Sequence, residues 1–279
     1  MRPTTLYHYT SVMGIQGIVE QKAIWATNAQ YLNDAQELTF GRNELYEAMM
    51  ERAEELFPNT RPGDGGACYS MATILRSAAE QLTPSASMRS GQSEHFIYVS
   101  CFCEVDDLLS QWRAYGASGG VAIGFDTETL ANATLGDQEV RLEQVRYGND
   151  AMVEMVRRVV PQIAPHPRPH PGTQGYLQAR QVAFPALAAV KNEAFAEERE
   201  WRLLVAGTSN QKGLRFRNAT LGLIPYVELA FDKSAIKEVV VGPGAHQELR
   251  KEAIQLLLGT NGFDVDSVTV RVSSAPYRG

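Results

Sequence analysis

His95-Phe96-Ile97-Tyr98-Val99-Ser100-Cys101-Phe102 carries apolar residues on both of its alternating faces. A strand with one face in water alternates apolar and polar positions, so this stretch reads as a strand covered on both sides. Working outward, further strands are expected over 121–125, 142–147, 201–205, 227–231, 236–241 and 268–272, several bounded by Gly or Asp. Helical periodicity recurs over 151–160, 174–195 and 247–258, with a weaker signal over 67–82.

Toward the amino terminus, Leu6-Tyr7-His8-Tyr9 reads as a short strand running into Thr10-Ser11. Those hydroxyls can cap a helix whose apolar positions are Val12, Ile15, Ile18 and Val19. Ile24-Trp25-Ala26 is a second short strand. Asn33-Asp34 followed by Glu37 makes a capping-box-like start to a helix with Leu38, Leu45 and Met49 on one face. The polar stretch 58–66 breaks the pattern, and 84–94 is a Ser-rich loop. Prolines 161, 165, 167, 169 and 171 remove backbone donors and favour an extended solvated loop over 161–172. His166 and His170 fall in that loop without a carboxylate or Cys beside them, so they read as exposed polar residues. With strands and helices interspersed and no internal repeat, residues 1–279 are expected to form a single α+β domain. Its mainly antiparallel sheet, whole or split, is flanked by helices.

Composition bounds the function. Lys plus Arg is 26 against 32 Asp plus Glu, a net charge of −6, with 44% hydrophobic and 21% charged residues. This excludes disordered, collagenous and coiled-coil classes. It also argues against holding nucleic acid by bulk charge, although a local basic groove is allowed. Cys68, Cys101 and Cys103 are an odd count, and Cys101 and Cys103 fall on one face of a strand, so they read as free thiols rather than metal ligands. Met1 to Tyr9 does not resemble a signal peptide and no run of eighteen apolar residues occurs, so a cytoplasmic protein without membrane contact is expected.

Four clusters combine aromatic, amide and charged residues beyond what packing requires: Tyr7-His8-Tyr9-Thr10; Tyr31-Leu32-Asn33-Asp34 with Glu37; Ser110-Gln111-Trp112-Arg113-Ala114-Tyr115-Gly116; and Glu197-Glu198-Arg199-Glu200-Trp201-Arg202. In the last, alternation places Glu198, Glu200 and Arg202 on one face, expected to face a cleft, with Trp201 and Leu203 packed inward. No Gly-X-Ser-X-Gly, His-Glu-X-X-His or Cys-His pairing with an orienting partner competes with them. Gly116 to Gly120 precedes a strand and reads as a flexible turn rather than a phosphate loop. Gly242-Pro243-Gly244 lacks the Lys and hydroxyl of the phosphate-binding motif and reads as a strand-to-helix turn.

At these clusters the chain resembles the bacterial domain-of-unknown-function family 2971. The resemblance rests on LYHYTS, YLNDAQE, VSCFCE with LSQWRAYG, GVAIGF, FAEEREWRLL, and EVVVGPG with SSAPYR. More distantly, a histidine on the first strand, a middle strand carrying Ser-Cys-Phe and a late strand opened by Glu-X-Glu resemble the ADP-ribosyltransferase superfamily. That resemblance implies an ADP-ribosyltransferase-like fold and an enzyme that cleaves the nicotinamide glycosidic bond of NAD and modifies a macromolecule, protein or nucleic acid, as a toxin or antiviral effector. It implies catalytic roles for Glu200, His8 and Glu198. NAD contacts are implied for His8, Tyr9, Thr10, Tyr31, Asn33, Ser100, Gln111, Trp112, Arg113 and Arg202, with Arg42 a further pyrophosphate candidate. His8 is expected to donate from a neutral imidazole to a ribose hydroxyl while the backbone holds its other nitrogen. The chemistry is self-consistent, because glycosidic cleavage passes through an oxocarbenium-like state that a carboxylate stabilises. Two further readings are a non-catalytic nucleotide-binding or sensor module, and a metal-dependent nuclease using Asp34, Glu37 and Glu200.

Overall fold

The computed structural model of the chain describes residues 2–32, 35–56, 95–116, 119–163, 182–183, 185–208 and 211–276. The stretch apolar on both faces is β3 (His95–Cys103). It sits inside a large sheet in the order β12-β11-β4-β1-β3-β2-β10-β9, with β8 and then β5 joined at β3. These strands are β1 (Thr5–Thr10), β2 (Ala23–Asn28), β4 (Val121–Asp126), β5 (Val140–Gln144), β8 (Glu200–Thr208), β9 (Arg215–Ala219), β10 (Gly222–Ala230), β11 (Ile236–Val241) and β12 (Thr269–Val272). All pairings are antiparallel except β11 with β12, so the architecture is α+β with a mostly antiparallel open sheet. A parallel two-residue pair, β6 (Arg146–Tyr147) and β7 (Val190–Lys191), lies apart from it.

Both faces of β3 are covered, as its composition requires. Tyr98 and Phe102 pack with Trp201, Leu203 and Val205 of β8 and with Ile15, Ile18 and Val19 of helix α1 (Val12–Gln21). Ile97 and Val99 point the other way, toward helices α2 (Ala35–Leu56) and α5 (Gly148–Ile163). There Leu45, Met49 and Ala53 meet Ala151, Met155 and Val159, each set at a four-residue spacing that lines one helix face. Between β3 and α5 the chain forms α3 (Leu109–Tyr115) and α4 (Thr127–Leu130). Helix α6 (Gln247–Thr260) adds Ile254 and Leu258 to the first core. The sheet is therefore layered between α1 and α6 on one side and α2 and α5 on the other.

Two expectations change. The helix read over 174–195 does not reach Phe195: helical residues end at 187, β7 follows, and Glu193–Glu198 is a 3₁₀ turn capped by Asn192, whose side chain accepts from the Ala194 N–H. Pro161 is not part of the loop but lies in the last turns of α5. The helix over 67–82, the loop 84–94, Cys68, the Asn33-Asp34 cap and both loop histidines fall outside the described residues.

Candidate functional site

Strand β3 pairs with β8 along its whole length, but its other edge is divided. Val99 and Tyr98 pair with Thr27 and Asn28 of β2, whereas Cys103 pairs with Tyr7 of β1. Between these two pairings the Cys101 carbonyl accepts a hydrogen bond from Nδ1 of His8 at 2.8 Å. A carbonyl can only accept, so Nδ1 carries the proton and the neutral ring offers Nε2 as a lone pair. Burial pushes the imidazole below its ordinary pKa, against the opposing pull of the Cys101 bond, and so favours that neutral form. The sequence expectation had the neutral ring donating to a ligand. The geometry instead makes Nε2 an acceptor.

On the opposite side of Cys101 lies a buried charge cluster built by β7, the 3₁₀ turn and β8. Arg202 forks onto Glu200, Nε to Oε1 at 2.7 Å and Nη2 to Oε2 at 2.8 Å, and its Nη1 donates to the Ala188 carbonyl at 2.8 Å. Lys191 Nζ, 4.5 Å from the centre of the Phe195 ring, bridges Glu198 at 2.7 Å and Glu200 at 3.3 Å. Tyr147 Oη accepts the Glu200 N–H at 2.7 Å. Among the described residues two cations thus face two anions, the arrangement that makes burial of charge tolerable. Burial raises the Glu200 pKa, but Arg202 first and Lys191 second outweigh it and hold the carboxyl below its ordinary value. The Cys101 thiol donates to Glu200, and burial, reinforced by that carboxylate, drives the thiol pKa well upward.

His8 and Glu200 leave the sheet on opposite faces. Glu200 is opposite Cys103 and Arg202 opposite Cys101, on the side of α2 and α5. His8 packs with Phe102, ring centres 5.6 Å apart, on the side of α1 and α6. What joins them is Cys101, through its carbonyl and its thiol. Glu200 and Arg202 were expected to face a cleft, yet they are only 5% and 3% exposed because Ala188, Lys191 and the 3₁₀ turn with Glu198 lie over them. Glu198 precedes β8 in the 3₁₀ turn, and its side chain, 21% exposed, is the carboxylate of the cluster that reaches solvent.

The remaining predicted residues separate. Tyr9 Oη donates to the Val105 carbonyl at 2.8 Å and accepts the Leu108 N–H at 2.9 Å, while its ring meets Trp112 edge-on. Trp112 is buried and donates to Asp107 at 2.7 Å. This pair is committed to holding the 105–108 loop. Gln111 is buried beside Trp112, and Arg113 is exposed one residue further on. Thr10 packs against Gly14 in the first turn of α1, where a Cβ would sit 1.9 Å from its Oγ1. Ser100 is buried, its hydroxyl without a hydrogen-bond partner among the described residues. Tyr31 is 37% exposed in the 3₁₀ turn after β2. Asn33 and the Arg42 side chain fall outside the described residues. Sequence reading missed Lys191, Tyr147 and Asp107. Of these only Lys191 left a signal, as a cation directly after the apolar run that ends at Val190.

Fold and site together define an α+β protein whose central strand is forked on one edge and flanked by a charge-balanced cluster on the other. The model of the family described as "Protein of unknown function (DUF2971)" matches residues 111–203, and this supports the family resemblance read from the sequence. The matched span runs from Gln111 through Glu198, Glu200 and Arg202, and His8 lies outside it. No curated protein and no solved structure matches the chain. Among the described residues no helix is long and apolar enough to cross a membrane, and no group of three or more His, Cys, Asp or Glu is placed to hold a metal ion.

Proposed function

We propose that this chain is an NAD-dependent, ADP-ribosyltransferase-like enzyme acting on a macromolecular acceptor in the cytoplasm, with its site at the junction of β1, β3 and β8. One observation carries the reading: the histidine strand, the Ser-Cys-Phe strand and the Glu-X-Glu strand, far apart in sequence, lie side by side, with His8 and Glu200 both bonded to Cys101. In the reaction, the bond between ribose C1′ and nicotinamide breaks and its electron pair leaves with the nicotinamide, which becomes neutral. The acceptor's nucleophile forms the new bond to C1′ and releases a proton. Glu198, which reaches solvent, is the carboxylate assigned to the cationic ribose. Glu200 positions it through the Lys191 they share, and His8, on the other face of the sheet, holds the Cys101 carbonyl rather than the nucleotide. Release of nicotinamide from NAD, lost in Glu198→Gln, tests the assignment.

A second reading is favoured by a different observation. Glu200 is occupied by Arg202, Lys191 and the Cys101 thiol, as suits a module that binds a nucleotide without cleaving it. Intact NAD after prolonged incubation, together with measurable binding, selects this alternative.

A further inference from the structure

A second polar cluster lies on β2, β10 and β9, apart from the site above. Trp25 is opposite Glu228 across the β2–β10 ladder, and Thr27 is opposite Tyr226. The Trp25 and Tyr226 rings meet with centroids 4.7 Å apart. From β9, Arg217 reaches Thr27 Oγ1 at 3.2 Å and Arg215 reaches Glu228 Oε2 at 3.1 Å, the residues directly opposite Tyr226 and Trp25. Burial pushes the Arg217 guanidinium below its ordinary pKa. Yet three buried polar atoms here have no hydrogen-bond partner among the described residues: the Trp25 indole Nε1, the Arg217 Nε and the Glu228 Oε1. Leaving such groups unpaired is costly, and their grouping beside one aromatic pair calls for a ligand that satisfies all three.

The unpaired atoms are two N–H donors and one carboxylate acceptor. Their complement is a planar ring with one amine donor and two acceptors, able to stack on an aromatic face. The acceptor Glu228 is on β10, between the donor strands β2 and β9. Adenine presents its exocyclic amine between two ring nitrogens that accept, whereas cytosine carries both acceptors on one side of its amine and guanine and uracil carry a ring N–H that would need a second acceptor. We infer that Trp25, Arg217, Tyr226 and Glu228 form a binding site for the adenine ring of a nucleotide. Adenine can come from a free nucleotide or from the adenosine end of NAD. The inference does not depend on the proposed cleavage, because AMP has no nicotinamide bond to break.

The test is calorimetric titration of the full chain with AMP, GMP, CMP, UMP, nicotinamide mononucleotide and NAD. AMP is expected to bind at least about tenfold more tightly than the other three nucleotides. Trp25→Phe, which keeps a stacking ring and removes the indole N–H, and Arg217→Lys, which keeps the charge and removes Nε–H, are each expected to weaken AMP binding about five- to tenfold with an unchanged circular dichroism spectrum. NAD binding weakened by the same variants identifies the adenosine end of NAD as the occupant, and NAD binding indifferent to them identifies a free adenine nucleotide. The inference is overturned by absence of AMP binding, by equal affinity for CMP or GMP, by displacement of AMP with nicotinamide mononucleotide, or by folded variants with wild-type affinity.

Discussion

His8 Nδ1 donates to the carbonyl of Cys101 at 2.8 Å, between the point where β3 pairs with β2 and the point where it pairs with β1. A side chain thus occupies a position that a strand backbone would otherwise fill, and it does so only as the Nδ1–H tautomer.

His8→Ala is therefore expected to destabilise the fold by about 1–3 kcal/mol, the cost of stranding a buried acceptor, and His8→Gln to recover part of it. The wild type also carries a pH signature. The folded pKa of His8 lies below the ordinary value of 6.5, so the unfolded chain binds this proton more readily. The contribution is complete above pH 6.5 and falls as the pH drops toward the folded pKa. Urea unfolding of both proteins between pH 5 and 8 should show that slope in the wild type and lose this component in His8→Gln.

Breaking the buried fork should cost more. Arg202→Met leaves Glu200 buried with Lys191 as its remaining cation, and a loss of about 3–5 kcal/mol is expected. Replacing both partners with Glu200→Leu and Arg202→Met should restore at least half of it. The wild-type Glu200 pKa lies below 4.5, so its stabilisation is present above that value and lost as the pH falls below it. In Arg202→Met, burial is no longer outweighed, and acid unfolding should begin at higher pH.

Asp107 accepts the Trp112 indole, both Ser273 and Ser274 hydroxyls and the Ser274 N–H, tying α3 to the end of β12. Its carboxyl is partly buried, which raises its pKa, but these donors, led by Ser273, outweigh that and hold it low. Asp107→Ala should cost about 1–3 kcal/mol and raise amide hydrogen exchange over 270–276 by at least tenfold, with little change in β8.

Gly242 lies against Trp112, where an added Cβ would sit 2.8 Å from the ring and 2.8 Å from the Gly120 carbonyl. Neither neighbour is a flexible chain end. Gly242→Ala should lower stability by about 1–3 kcal/mol in thermal unfolding, whereas Ala at Gly259, where the nearest atom is 3.5 Å away, should be tolerated.

Much of the layering was legible in the sequence because β3 and β8 carry their burial in composition: two apolar faces in 95–103, and Trp201, Leu203 and Val205 on one face of β8. Alternation also placed Glu200 and Arg202 together correctly. Their burial was not legible, because it depends on residues 188–198 folding back, and a charged pair on a strand normally reads as solvated. β9 escaped notice since Arg215, Phe216, Arg217 and Asn218 are mostly polar, as an edge strand can be. The opposite exits of His8 and Glu200 depend on strand register, which single-strand patterns do not encode.

The central claim is tested most directly by measuring nicotinamide released from NAD by the wild type, Glu198→Gln and Glu200→Gln, each verified as folded. The account predicts NAD-dependent release by the wild type, a loss of roughly a hundredfold or more in Glu198→Gln as expected for one preorganised electrostatic group, and a smaller loss in Glu200→Gln. Intact NAD in the wild-type reaction, or full activity in Glu198→Gln, would contradict it.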